Sequence, residues 1–361
     1  MKILVIYASA GAGHFKAAQA IFESVKKYTS HQAVLVNALD YTQPYFKKSY
    51  EAAYVFLVSK LPLFWGIFFG LADWKLLQPL WHIVRRWNNG WHGKALEHFL
   101  EKEQFDVIFS THFFPNETAA FLKRKGEIHS QIISVVTDFD VHKFWIQKGV
   151  DRYVVAVDWT KEKLKKLGVL DKNISVLGIP INDKFSTVGD RIQVKRKLGL
   201  REDVFTVLLA TGSFGIGPMA EIVEALKSYQ VLVVCGKNQK LKENLSRRED
   251  DLLKVFGLVD NMHELMAAAD VMITKPGGLS TSEALATQLP LIFFHPIPGQ
   301  EVNNIKVLSH YGVGIYARSV LRIVEEVGNL SSSRDRYLTA VKKIRSAAHP
   351  SAVKEIISLI Q

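Results

Sequence analysis

Short apolar runs that end in glycine or a small polar residue alternate along this chain with stretches whose apolar positions recur every three or four residues. Residues 2–7, 106–110, 132–137, 151–157 and 174–177 have the strand pattern, and 15–28, 115–125 and 160–167 the helical one. A break at Pro180-Ile181-Asn182-Asp183 reads as a linker, and a charged helix follows over 191–198. The alternation then starts afresh, with strands at 205–210, 230–235, 253–256, 291–294 and one opening at Val271, and helices at 219–229, 239–248 and 261–268. Strands separated by helices predict parallel sheets. Two such runs predict an α/β chain of two doubly wound, Rossmann-like domains facing each other across a cleft. The expected domains are 1–182 and 183–345, with a C-terminal helix over 346–361 packing back toward the first. Ligands of such sheets sit outside the C-terminal strand ends.

The richest strand end lies between Val271 and Asn304. An apolar strand breaks at Lys275-Pro276-Gly277-Gly278, and a helix is predicted whose first turn is Ser280, Thr281, Ser282 and Glu283. Free backbone N–H groups at such a helix start carry partial positive charge and suit a phosphate or diphosphate. The next strand ends in His295, and the polar turn Pro298-Gly299-Gln300-Glu301 offers an amide and a carboxylate to a polyhydroxyl group. Together these point to a nucleotide-linked sugar. Glu283 has two readings, a ribose-hydroxyl acceptor or an acid favoured by the helix dipole.

The catalytic candidates stand at strand ends of the first half: His14, His112, Asp138, Asp140 and His142. Histidine is the commonest general base near neutral pH, although a lone one at a strand end is more often structural. The turn Ser9-Ala10-Gly11-Ala12-Gly13-His14 is neither a P-loop nor a full dinucleotide fingerprint, since position 16 is lysine. Asp138-Phe139-Asp140 has the Asp-x-Asp spacing that some glycosyltransferases use for a divalent ion. It lies far in sequence from the phosphate loop, and the helix dipole and hydroxyls there can neutralise a diphosphate. No metal and no cofactor are expected.

Composition narrows the class. A chain of 361 residues, 48% hydrophobic and 22% charged, is globular and long for one core. Its single cysteine, Cys235, excludes an intrachain disulfide and a multi-cysteine metal site, and fits a reducing compartment. The chain opens directly into a strand, without the pattern of a signal peptide.

Net charge is +11, of which residues 1–182 hold +7, from 23 Lys and Arg against 16 Asp and Glu. Such an excess serves nucleic acid, an anionic membrane or solubility alone. Residues 41–91 sharpen the choice, with five of the seven tryptophans and six basic residues against two acids. The longest apolar run there, 61–72, is too short to span a bilayer. Tryptophan and phenylalanine among lysine and arginine suit a membrane interface. Core filling, a dimer contact and base stacking are the other readings, and the lack of polar base-reading residues argues against nucleic acid. Trp65, Phe68, Phe69, Trp74 and Trp81 are the expected membrane contacts.

The motifs carry a resemblance over nearly the whole chain. Ala10-Gly11-Ala12-Gly13-His14 with Ala17-Ala18, Val136-Thr137-Asp138-Phe139 with His142-Lys143 and Trp145, Lys275 through Glu283, and Pro296-Ile297-Pro298-Gly299-Gln300-Glu301 recur together in one family. The chain resembles the glycosyltransferases that make glycosyldiacylglycerols: bacterial processive diacylglycerol glucosyltransferases and plant galactolipid synthases, which share the two-domain GT-B fold of the peptidoglycan enzyme MurG.

The resemblance implies an inverting, metal-independent transfer of a hexose, glucose before galactose, from a UDP-hexose to the 3-hydroxyl of diacylglycerol. The place would be an anionic membrane surface on the cytoplasmic side. By it, His14 is the base or the residue that orients the acceptor, and Gly13, Asp138, His142 and Trp145 line the acceptor side. Gly212, Ser213, Gly236, Lys237 and Asn238 contact the donor, and Val259 meets uracil. Gly278, Ser280 and Thr281 contact the diphosphate, Glu283 takes the ribose, Gln300 and Glu301 hold the hexose, and Lys275, Gly277 and Gly299 also bind the donor. Three other functions remain open: galactosyl transfer, a MurG-like transfer to a polyprenyl diphosphate, and nucleotide-sugar sensing without turnover.

Overall fold

The computed structural model of the chain describes residues 1–9, 11–45, 47, 49, 56–57, 61, 64, 66, 93–187 and 189–360. Two compact units emerge. The first comprises Met1–Asn182, Pro298–Asn303 and Ser351–Gln361, and the second Asp183–Ile297 and Asn304–Pro350.

In the first unit the order is β1 (Lys2–Tyr7), α1 (Ala12–Tyr28), β2 (Gln32–Asn37), α2 (Lys94–Glu103), β3 (Val107–Ser110), α3 (Phe113–Lys125), β4 (Gln131–Val135), β5 (Arg152–Val155), α4 (Asp158–Lys166) and β6 (Ile174–Val176). The six strands are parallel and ordered β2-β1-β3-β4-β5-β6. Successive side chains of a strand point to opposite faces, so continuous apolar runs such as Ile3 to Ile6 feed two cores. Leu4, Ile6, Ile108 and Ile132 pack with Leu96, Leu100, Ala119 and Leu122 on one face. Ile3, Val5, Val107 and Ile133 pack with Ala18, Ile21 and Val25 of α1 on the other.

The second unit runs α5 (Arg191–Lys197), β7 (Thr206–Ala210), α6 (Met219–Ala225), β8 (Gln230–Val234), α7 (Gln239–Ser246), β9 (Leu253–Phe256), α8 (Met262–Ala268), β10 (Val271–Thr274), α9 (Gly278–Ala286), β11 (Leu291–Phe293), α10 (Gln300–His310), β12 (Ile315–Tyr316), α11 (Val320–Ser332) and α12 (Arg334–Ala347). The division between the units falls inside α10. Its sheet is again all parallel, ordered β12-β11-β10-β7-β8-β9. A final helix, α13 (Ala352–Ile357), adds Val353, Ile356 and Ile357 to the first unit's core beside Ile21 and Val25.

These orders locate two switch points, where successive connections leave in opposite directions along the sheet. They lie between β1 and β3 in the first sheet and between β7 and β10 in the second. Ligands of doubly wound sheets bind outside the strand ends at such points.

Four expectations need correction. Helix α1 begins at Ala12, so Gly13 and His14 stand on its first turn, and Gly11, at φ 110°, lies in the bend before it. Helix α9 begins at Gly278, which moves Glu283 to its second turn. Gln300 and Glu301 open helix α10 instead of lying in a turn. The helix expected over 346–361 is shorter, α13 at Ala352–Ile357, because α12 ends at Ala347 and Pro350 cannot continue its hydrogen-bond ladder. Trp65, Phe68, Phe69, Trp74 and Trp81 lie outside the described residues. Among the described residues, no helix is long and apolar enough to cross a membrane.

Candidate active site

At the β1–β3 switch point, the first turn of α1 sets His14 beside the residue that follows β3. His14 Nδ1 lies 2.7 Å from the Thr111 carbonyl oxygen. A carbonyl only accepts, so Nδ1 carries the ring proton, and Nε2 is left with the lone pair. Thr137 Oγ1 stands 3.0 Å from the same Nδ1. The Thr111 hydroxyl donates to the His14 carbonyl at 2.9 Å, so one residue holds both the ring and the backbone of His14. None of these three contacts engages Nε2.

Burial lowers the His14 pKa below the ordinary histidine value, and the Asp138 carboxylate and the hydrogen bond to Thr111 oppose that effect. The ring is therefore neutral near pH 7 and able to accept a proton at Nε2. His112 meets it edge-on with ring centroids 4.7 Å apart. Burial, with His14 as neighbour, holds His112 well below the usual range. Its Nδ1 accepts from Phe114 N at 3.1 Å and caps α3. His112 is thus a neutral wall beside the base.

The other acceptor-side candidates divide. Trp145 is buried, with its ring centroid 6.5 Å from that of His14. Asp138 is buried and accepts a hydrogen bond from Gln300 Nε2 at 2.6 Å, within the same unit. Gly13 is half-buried on the turn that carries His14. His142 is buried and uses its Nδ1 to accept from Phe144 N at 3.2 Å, capping a 3-10 turn. Asp140 pairs with the Lys163 ammonium at 2.8 and 2.9 Å, so the two acids of the Asp-x-Asp sequence have different partners.

At the β7–β10 switch point, Ala210 and Thr274 are register partners, and their strands run out together into Thr211-Gly212-Ser213 and Lys275-Pro276-Gly277. Gly277 is the N-cap of α9, and among the described residues no side chain makes the cap hydrogen bond there. The backbone N–H groups of its first turn therefore remain for a ligand. Lys275 is buried beside them, and the Asn304 amide fixes the loop by donating to the Pro276 carbonyl at 3.0 Å. Thr281 Oγ1, on the same turn, is buried with no hydrogen-bond partner among the described residues. Ser280 is half-buried and Glu283 buried on this helix.

The ends of β7 and β8 interlock. Lys237 N donates to Ser213 O at 2.8 Å, and Asn238 Nδ2 donates to Gly215 O at 3.0 Å. Gly215 and Gly236 have φ of 55° and 59°, and a Cβ on either would run into the carbonyl oxygen of Cys235 or Ser213. The backbones meet this closely because both positions are glycine. Gly212 and Lys237 are exposed at that junction, with Ser213 and Gly236 half-buried. Asn238 spends its amide inside the loop, since its Oδ1 also accepts from Leu241 N at 3.1 Å to cap α7. Val259 is half-buried in the loop after β9. Gly299, at φ 89°, directly precedes α10, where Gln300 and Glu301 are half-buried. The sequence reading passed over Thr111 and Thr137 as site residues. Their signal was position, each standing just past a strand of the first sheet near its switch point.

Comparison with known proteins follows the same division. Residues 14–181 match the family model of monogalactosyldiacylglycerol (MGDG) synthase, and 217–356 that of the glycosyltransferase family 28 C-terminal domain. A processive diacylglycerol beta-glucosyltransferase of Bacillus pumilus is 31% identical over 355 residues, which cover 96% of this chain and 91% of that protein. MurG of Acinetobacter baumannii superposes with a TM-score of 0.62 at 13% identity, covering 100% of this chain and 99% of the other. HepE of Anabaena, solved in complex with UDP and glucose, gives 0.57 at 13% identity, with the same coverage.

Proposed function

The chain belongs to the glycosyltransferase family of the processive diacylglycerol beta-glucosyltransferases and MGDG synthases, with the GT-B fold, and we propose that it glucosylates diacylglycerol from a UDP-sugar. It is a hexosyltransferase of glycolipid synthesis. In the proposed reaction His14 Nε2 takes the proton of the 3-hydroxyl of 1,2-diacylglycerol as that oxygen attacks the anomeric carbon of the hexose. The bond from that carbon to the diphosphate oxygen breaks, and UDP leaves with its charge met by the first turn of α9 and Lys275. One displacement inverts the anomeric centre.

The observation that carries this reading is the His14 lock. A ring held at Nδ1 by a carbonyl, at 2.7 Å, keeps its basic nitrogen, Nε2, out of hydrogen bonds among the described residues. The metal-independent form is supported by the carboxylates of Asp138 and Asp140, which are engaged by Gln300 and Lys163. The site of action we propose is the cytoplasmic face of the cell membrane, which the protein meets peripherally. The excess of +7 in residues 1–182 and the aromatic, basic stretch 41–91 support an anionic surface.

The test uses the purified full chain, vesicles of diacylglycerol in anionic phospholipid, and UDP-glucose, UDP-galactose or UDP-GlcNAc in separate reactions. Glucosyl transfer with a β-anomeric product, undiminished by EDTA, is expected. Transfer from UDP-galactose alone would change the donor, and no transfer to diacylglycerol from any of the three would reject the reading.

A further inference from the structure

Asn304 ends the stretch that opens at Val271, and the proposed reaction gives it no role. It is fully buried on α10, whose other buried residues are the apolar Ile305, Val307 and Leu308. A polar amide in such company costs free energy unless its hydrogen bonds are met. Its Nδ2 donates to the Pro276 carbonyl at 3.0 Å, a residue 28 positions back in the chain. Both residues belong to the second unit.

That carbonyl lies in the short loop between β10 and α9, whose two ends are firmly placed. Thr274, the last residue of β10, is the register partner of Ala210, and its carbonyl accepts from Phe294 N at 3.0 Å. At the other end Thr281 N donates to Gly277 O at 3.1 Å as α9 begins. Three hydrogen bonds shape the residues between. Thr274 Oγ1 donates to Lys275 O at 3.2 Å, Gly277 N to Lys275 O at 2.8 Å, and Asn304 to Pro276 O. The first two are made inside the turn, and of the three only the last comes from another element. A Pro-Gly peptide plane turns over readily, because glycine takes positive φ at no steric cost. Here Gly277 has φ −73° and ψ 141°, and the Pro276 oxygen is engaged by Asn304, which retains that one orientation.

We propose that Asn304 is a positioning residue of the donor site, which sets diphosphate affinity by fixing the Pro276–Gly277 peptide. Being fully buried, it acts through the loop and touches no part of the donor. The inference rests on the donor reading above and deepens it. The first turn of α9 meets the diphosphate, and Asn304 holds the approach to that turn in place before the donor arrives. A loop ordered beforehand spares the ligand the cost of ordering it. Departure of the hexose adds negative charge to the diphosphate, so the same order favours the leaving UDP.

Calorimetric titration of the full chain with UDP and with uridine tests this. Asn304→Ala should bind UDP about tenfold more weakly, the scale of ordering one residue's backbone, with uridine affinity unchanged. Asn304→Leu has similar volume, suits the apolar neighbours and cannot donate, so it should show the same split if the alanine variant unfolds. Unchanged UDP affinity in either folded variant would overturn the proposal. An equal loss for uridine would do so too, since a general loosening of the domain weakens both ligands alike. Unfolding of both variants would make Asn304 a purely structural residue and overturn it as well. Wild type binding UDP no more tightly than uridine would instead overturn the donor reading itself.

Discussion

Gln300 Nε2 donates to Asp138 Oδ2 at 2.6 Å, joining residues 162 positions apart. One was expected on the hexose and the other on the acceptor side. Their contact puts the first residue of α10 on the carboxylate whose charge supports the basicity of His14.

Asp138→Asn tests that support. The amide can still meet Gln300, but its lost charge leaves only the hydrogen bond to Thr111 to oppose burial at His14. The His14 pKa then falls further below the ordinary value. The acid limb of the pH–rate profile should move to lower pH, and the plateau kcat should drop by about tenfold or more as the base weakens. An unmoved acid limb would remove Asp138 from the account.

Gly277→Ala separates ligand approach from folding. A Cβ on Gly277 meets nothing within 4 Å, and its φ of −73° suits any residue. Thermal stability should be unchanged while UDP affinity falls by about tenfold, an order-of-magnitude expectation for a diphosphate pushed off backbone N–H groups. Unchanged UDP affinity would place the diphosphate elsewhere.

Stability should depend on pH through His112. Its folded pKa is depressed by burial, so between that value and the unfolded pKa near 6.5 the unfolded chain binds more protons. Stability therefore rises with pH across this window, is highest above 6.5, and falls by up to about 1.4 kcal/mol per pH unit on acidification. His112→Asn keeps a cap for α3 and removes the titration, so it should flatten the slope of urea-midpoint stability between pH 7 and 5.

Much of the sheet architecture was legible because a strand buried on both faces must be apolar throughout, as in Ile3 to Ile6 or Val231 to Val234. β2, with its outer half partly exposed, carries a weaker pattern and was not read. Helix starts were misjudged where glycine opens them. Gly278 and Gly13 suggest a loop by propensity, yet both lie inside helices, where packing overrides a preference of about 1 kcal/mol. The candidate motifs were visible as strand ends. The lock on His14 was not, since it joins positions 14, 111 and 137 through a carbonyl and a hydroxyl that no local pattern marks. The Gln300–Asp138 contact was hidden for the same reason.

The most direct test of the central claim is to compare turnover and UDP affinity in His14→Ala against wild type, on diacylglycerol vesicles with saturating UDP-glucose. Loss of a positioned general base predicts a fall in kcat of about 10²–10⁴-fold with UDP affinity unchanged. Wild-type turnover in His14→Ala would contradict the account.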